Sequence, residues 1–174
     1  MEMSSVIDEV AQQISDVGII FVSDMTENYI QRILTGQNLE FHQLVKIRPH
    51  VFMRKGHPLA SESVVTQEKL HQYPYVVFMQ KDSNLNFAEE AVVGTGADFN
   101  QVVYVTDRAT AYNVMAHTNC VSTGSGVMPT GYGDERLLTL PLADAVDDMR
   151  LGYIKLRGIP MSDMGARFVE ILEQ

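Results

Sequence analysis

Five histidines (His42, His50, His57, His71 and His117) and one cysteine, Cys120, are the side chains best suited to acid–base, nucleophilic or metal chemistry in this chain. Their spacing argues against such chemistry. The sequence contains no His-Glu-x-x-His and no Cys-x-x-Cys. Glu68 and His71 stand three apart on a predicted helix, a separation that can put two metal ligands on one face. No second pair matches them, and a solvated helical face accounts for both. Cys120 follows His117 by three residues, a spacing that could set a thiol beside a base. It falls in a short apolar strand, where a free cysteine behaves as a small buried hydrophobe. No catalytic residue, metal or cofactor is assigned.

The most glycine-dense stretch runs Thr123-Gly124-Ser125-Gly126-Val127-Met128-Pro129-Thr130-Gly131-Tyr132-Gly133. Proline stands at 129 where a dinucleotide fingerprint needs its third glycine, and no Gly-Lys-Ser/Thr follows. The run is either a loop whose backbone N–H groups face a small anion or an ordinary multi-turn connection. More telling are the polar residues directly after four predicted strands: Ser23-Asp24, the run Gln80 to Asn84 with Ser83 in it, Thr106-Asp107 and Ser122-Thr123. In open α/β sheets, ligands bind beyond the carboxyl ends of strands, where helix N-termini offer unpaired N–H groups. Helix caps use the same residue types, so a small-molecule cleft and plain capping both remain open.

The elements that would position these residues follow from periodicity. Ser5 with Asp8 three residues on predicts a capped helix to Ile14, with positions 6, 7, 10, 11 and 14 on one face. Val17 to Val22 is apolar and β-branched, the pattern of a strand covered on both faces in a parallel sheet. Residues 25 to 40 hint at a short helix through Tyr29, Ile30, Ile33 and Leu34. Phe41 to Met53 reads as strand, broken at Pro49. Gly56-His57-Pro58-Leu59-Ala60 is a turn, Thr66 caps a short helix to Leu70, and Tyr75 to Met79 is a buried-type strand. A helix near Asn86 to Val93 leads to the strand Gln101 to Val105. Thr106 then caps a helix from Asp107 to Ala116, and Asn119 to Ser122 is a short strand. Arg136 to Leu142 and Leu151 to Leu156 are extended. Ser162 opens a last helix whose apolar Met164, Phe168, Ile171 and Leu172 recur at three and four. The alternation predicts an α/β protein with mostly parallel sheets.

The chain has 174 residues, 45% of them hydrophobic and 20% charged, an ordinary globular composition that excludes a disordered or collagenous chain. Thirteen Lys and Arg against 22 Asp and Glu leave a formal net charge of −9. Such a surface repels a phosphate backbone, so no direct grip on DNA or RNA is expected. The apolar run Val17 to Val22 is far too short to span a membrane, and no signal peptide is visible. A single cysteine allows no intrachain disulfide and suits a reducing cytoplasm.

Val51-Phe52-Met53-Arg54-Lys55-Gly56-His57-Pro58-Leu59-Ala60, then a short helix and Tyr73-Pro74-Tyr75-Val76-Val77-Phe78, resembles the effector-binding domain of LysR-type transcriptional regulators. Leu140-Pro141-Leu142 with Asp144, the strand Leu151 to Leu156, and Ser162 opening a helix with Phe168 agree. The opening Val6 to Val22 is similar to the family's helix and strand. His117-Thr118-Asn119 departs from it, standing where the family commonly has a Gly-x-Gly turn. The family's winged helix-turn-helix, linker helix and first part of subdomain I have no counterpart in this sequence. The resemblance implies an α/β fold of two Rossmann-like subdomains joined by two crossover strands, like type 2 periplasmic binding proteins, with an effector in the cleft. It implies residues 1–75 plus 150–174 as subdomain I and 76–149 as subdomain II. Carried over by position, effector contacts fall at Ser23, Asp24, Gln80, Ser83, Thr106, Asp107, Ser122 and Thr123. The implied partners are a small anionic metabolite, further copies of the chain, and DNA only through an N-terminal domain outside this sequence.

Two other classes share such a fold. A free-standing solute-binding protein would need a signal peptide or lipid anchor. An enzyme such as a dehydratase or deaminase would need a placed acid, base or cysteine, and Cys120 is the sole thiol. No enzymatic activity is expected. A sheet deprived of its first strand exposes edge groups and apolar face, so self-association or marginal stability is expected.

Overall fold

A computed structural model describes residues 3–79, 99–128 and 135–173. The chain divides into two compact units, Met1–Ile47 with Met149–Gln174, and Arg48–Asp148, and passes between them twice.

In the first unit, helix α1 (Met3–Ala11) precedes strand β1 (Gly18–Ser23), helix α2 (Asp24–Gly36) and strand β2 (Leu39–Ile47). Strand β8 (Met149–Leu156) and the last helix, α5 (Asp163–Leu172), complete it. The sheet order is β1-β8-β2, with β8 antiparallel to both neighbours. Ile20 and Val22 of β1 are buried, while Ile19 and Phe21 on its alternate face are exposed. This corrects the expectation of a parallel strand covered on both faces. A β-branched apolar run has no alternation to announce which side faces solvent, and its partner lies some 130 residues away in sequence.

The start of α1 also differs. Ser5 lies inside the helix, and Ile14, beyond its end at Ala11, is exposed; Ile7 and Val10 are its buried residues. The weak apolar signal of 25–40 resolves into a 13-residue helix, because Ser23 and Thr26 cap its first turn reciprocally. Ile30 and Leu34 anchor it as fully buried side chains, each contributing roughly 1.5–3 kcal/mol. In α5, Ser162 Oγ caps Gly165 N–H at 3.1 Å as expected. The face expected to enter the core does not: Met164, Phe168, Ile171 and Leu172 are 80%, 43%, 56% and 39% exposed. Gly165 and Val169 are the buried residues instead. Periodicity defines a stripe on a helix, and tertiary packing decides which side meets the sheet.

In the second unit, strand β3 (His50–Arg54) pairs antiparallel with strands β6 (Ser122–Gly124) and β7 (Leu137–Pro141). A 3₁₀ turn (Pro58–Ser61) and helix α3 (Gln67–Leu70) lead to strand β4 (Tyr75–Phe78), which pairs in parallel with strand β5 (Val102–Val105). That is the one parallel pair among the described named strands, so the mostly parallel expectation is also corrected. Helix α4 (Arg108–His117) covers a core of Phe52, Val76, Val105, Ala111, Met115, Cys120 and Leu137. Residues 48–75 make their strand pairings within this unit through β3 and β4. Pro49 breaks β2 from β3 as its missing N–H requires. Thr66 stands at the N-cap of α3 but makes no cap bond; Asp144 accepts the Gln67 N–H at 2.9 Å in its place. The helix expected near 86–93 lies outside the described residues.

Two predictions follow from the first unit's sheet. Gly152 lies under the Phe41 ring, and a Cβ there would come within 2.5 Å of that ring and press on the His42 carbonyl. Gly152→Ala is therefore expected to lower the urea midpoint by a stability loss of about 1–3 kcal/mol; an unchanged midpoint would contradict this packing. Among the described residues β1 is an edge strand, with no charge and no proline to protect it. Light scattering should show association that grows with concentration and falls in Phe21→Lys, whereas a wild type monomeric at all concentrations would contradict an adhesive edge.

Candidate functional site

Those expected site residues that the structure describes fall in both units. In the first unit, Ser23 is the N-cap of α2 and is buried. Its Oγ accepts the Thr26 N–H at 3.3 Å and lies 3.0 Å from Thr26 Oγ1, while its own N–H donates to Thr26 Oγ1 at 3.0 Å. Asp24, in the first turn, pairs with Arg150 Nη2 at 3.1 Å, and Glu27 pairs with Arg150 Nη1 at 3.0 Å. The hydrogen bond and positive charge of Arg150 hold the Glu27 carboxyl below its usual range. One guanidinium from β8 thus straps the first turn of α2. Two acids three apart at a helix start hint that a cation is wanted, but nothing in the sequence marks residue 150 as its source.

In the second unit the carboxyl ends of β4 and β5 come together, with Met79 N–H donating to the Val105 carbonyl at 2.7 Å. Thr106 follows there and is exposed. It is not the cap of α4, as the sequence suggested; Asp107 is. Asp107 Oδ1 accepts the Thr110 N–H at 2.8 Å and Oδ2 accepts its hydroxyl at 2.7 Å. These bonds, with the Ala109 N–H, hold the Asp107 carboxyl below its usual range. A carboxylate accepts with two oxygens where a hydroxyl has one, which is why Asp107 takes the cap from its neighbour.

Ser122 and Thr123, expected to close a strand running from Asn119 to Ser122, instead begin β6, because the pairing with β3 starts only at Ser122, and they reach toward β4. Buried Ser122 donates its hydroxyl to the Val76 carbonyl at 3.1 Å, and the Thr123 hydroxyl meets that of Tyr75. Tyr75 stacks on Phe99 at 4.1 Å, and His71 meets Phe99 edge-on at 4.9 Å. The sequence reading missed this Thr123–Tyr75–Phe99 group, since a tyrosine at the start of a strand reads simply as core. Gln80 and Ser83 lie outside the described residues. Ser122 and Thr123 are thus brought together with one another and with β4, Thr106 and Asp107 stand at the β4–β5 end, and Ser23 and Asp24 belong to the other unit.

The remaining candidates stay structural. Cys120 is a buried member of the second unit's core, and His117 Nδ1 bonds the Asn113 carbonyl of its own helix at 2.9 Å. Among the described residues, no cluster of three or more His, Cys, Asp or Glu could hold a metal. In the glycine-rich run, Gly126 has φ +79° beside the His50 ring, and Ser125 Oγ accepts the Val127 N–H at 3.3 Å. Residues 129–134 of that run lie outside the described residues. No helix among the described residues is long and apolar enough to cross a membrane.

Comparison with known proteins agrees with this architecture. A LysR family transcriptional regulator from Pseudomonas aeruginosa (PA01 protein) superposes with a TM-score of 0.71 at 15% identity, over 99% of this chain and 57% of that one. The effector binding domain of QuiR in complex with shikimate gives 0.68 at 14% identity, over 99% and 77%. The Synechocystis PCC6803 CcmR regulatory domain in complex with 2-PG gives 0.69 at 17% identity, over 99% and 79%. The chain therefore spans little more than half the length of the Pseudomonas regulator. No curated protein matches it. Residues 1–174 match the LysR substrate binding domain. The fold is accordingly of the type 2 periplasmic-binding-protein kind, and the chain belongs to the LysR substrate binding domain family.

Proposed function

We propose that this chain is the effector-sensing part of a LysR-type transcriptional regulator, and that it binds a small anionic metabolite at its polar strand ends. The observation that carries the proposal is the family match over residues 1–174. Two structures of similar fold are complexes with small molecules, shikimate and 2-PG. The proposed contacts are Ser23, Asp24, Gln80, Ser83, Thr106, Asp107, Ser122 and Thr123.

Chemistry favours some of these over others. Asp24 and Glu27 are engaged by Arg150, and both oxygens of Asp107 are engaged by Thr110. An oxyanion entering these strand ends would meet hydroxyls and backbone N–H groups before it met a bare carboxylate. Thr106 is exposed, and the half-buried Thr123 hydroxyl is held in place by that of Tyr75. Regulation then needs only differential affinity. A metabolite that binds one conformation of the domain better shifts the population toward it, and the shift passes to a DNA-binding domain outside this sequence. The net charge of −9 suits a sensor whose contact with DNA is made elsewhere.

A thermal-shift screen with small carboxylates, shikimate among the probes, tests this reading. At least one probe should raise Tm in proportion to the logarithm of its concentration, because a ligand of the folded state stabilises by mass action. Thr123→Val should weaken that probe about tenfold, the worth of one hydrogen bond of roughly 1.4 kcal/mol. A panel with no shift, or equal affinity in Thr123→Val, would overturn the assignment.

A further inference from the structure

The corner after β3 grips one residue of the loop leading into β6 at two points. Arg54 donates Nε and Nη2 to Asn119 Oδ1, at 3.1 and 2.8 Å. His57 Nε2 lies 3.2 Å from the Asn119 carbonyl. A carbonyl only accepts, so Nε2 carries the proton. On the other side of the ring, Nδ1 accepts the Leu59 N–H at 3.1 Å and so carries none. The two contacts fix both a neutral ring and its tautomer. His57 is 3% exposed, with its ring 4.4 Å from that of Tyr73. Gly56 leaves the space Arg54 occupies, since a Cβ there would come 2.6 Å from Nη1.

The strand that follows depends on this grip. β6 has only three residues, paired as Phe52 with Ser122, Val51 with Thr123 and His50 with Gly124. A ladder that short specifies its register weakly, and a slip of one residue would turn each side chain to the opposite face. The Ser122–Val76 and Thr123–Tyr75 contacts would both be lost. Asn119 lies three residues before Ser122, close enough for its anchoring to decide the register.

We propose that Arg54 and His57 form a latch on Asn119 that sets the register of β6, and that protonation of His57 opens it, so that Ser122 and Thr123 are presented only while the ring is neutral. The function given to those hydroxyls rests on the effector reading above; the latch does not. A protonated ring would point an Nδ1–H at the Leu59 N–H, donor against donor. Among the described residues, the charged and titratable groups near the ring are the Arg54 guanidinium of β3 and Tyr73, beside the Asn119 carbonyl and the Leu59 N–H. Among the described residues, no carboxylate contributes to its ionisation. Burial and then the Arg54 charge hold the His57 pKa below its ordinary 6.5, against the opposing pull of the Asn119 bond. The unlatched state therefore takes the proton more readily. The latch is complete above pH 6.5 and is lost as pH falls from there through the lower value of the latched state.

Cys120, buried beside Asn119, is a built-in reporter. The whole chain, without ligand, is reacted with 4,4′-dithiodipyridine from about pH 8 to pH 5, and each rate is divided by that of N-acetylcysteine at the same pH. The expected ratio is flat above pH 6.5 and rises about tenfold below it. His57→Asn keeps an oxygen for the Leu59 cap but cannot titrate, and should give a raised ratio without a step. Arg54→Ala removes both hydrogen bonds to Asn119 along with the repelling charge, and should raise the ratio already above pH 6.5 and shrink the step. A flat wild-type ratio overturns the latch whether or not the variants fold, and so does a step that persists in folded His57→Asn. A normal step with no ligand shift in any carboxylate would sink the effector reading and leave the latch standing.

Discussion

Four polar side chains are buried among the described residues, Ser23, Thr26, His57 and Ser122, and water does not reach them to satisfy their hydrogen bonds. Each is partnered within its own unit. Ser23 and Thr26 close the first turn of α2 on each other, His57 holds Leu59 and Asn119, and Ser122 holds Val76. Leaving any of these unpaired would cost about 1–3 kcal/mol, a large fraction of a domain's net stability. The requirement therefore fixes where α2 begins, how the turn after β3 closes and how β6 lies against β4. It also sets where each of these hydroxyls points, because the position of a hydroxyl held this tightly depends on its partner.

The local punctuation of the fold was legible in the sequence. Pro49 separates two strands, Gly56 to Ala60 turns, Ser162 caps the last helix, and the β-branched runs at 75–78 and 102–105 are strands. These features depend on a few adjacent residues and on backbone chemistry each residue carries with it. What was not legible depends on partners distant in sequence. β1 finds β8 antiparallel across some 130 residues of chain, and no feature of Val17 to Val22 announces it. The helix at 163–172 shows a clear apolar stripe, yet Gly165 and Val169 beside that stripe make the close approach. Where two neighbours compete for one role, as Thr106 and Asp107 do at α4, capping geometry decides, and the sequence names both.

The candidate site divides in the same way. Thr106 and Asp107 directly after β5 were legible from the strand's length, whereas Ser122 and Thr123 open β6 where the sequence placed them after a strand, and they meet β4. Arg150, Tyr75 and the Arg54–His57 grip on Asn119 were not legible, because each acts across 48 to 126 residues of chain. The family of the chain was carried by the Gly-His-Pro-Leu-Ala corner, and the structure gives that corner a physical task. Its histidine and the arginine before it tie a loop distant in sequence at Asn119. The side chain and the carbonyl of Asn119 serve as the tie points there.

Amide hydrogen exchange compares the chain alone with the chain holding whichever small carboxylate raises its melting temperature. Slowed exchange concentrated at residues 106–107 and 121–124 is the expected pattern, because a ligand seated on those strand ends closes their local opening. Protection confined to surfaces away from every strand end, with those residues unchanged, would contradict the account at its base.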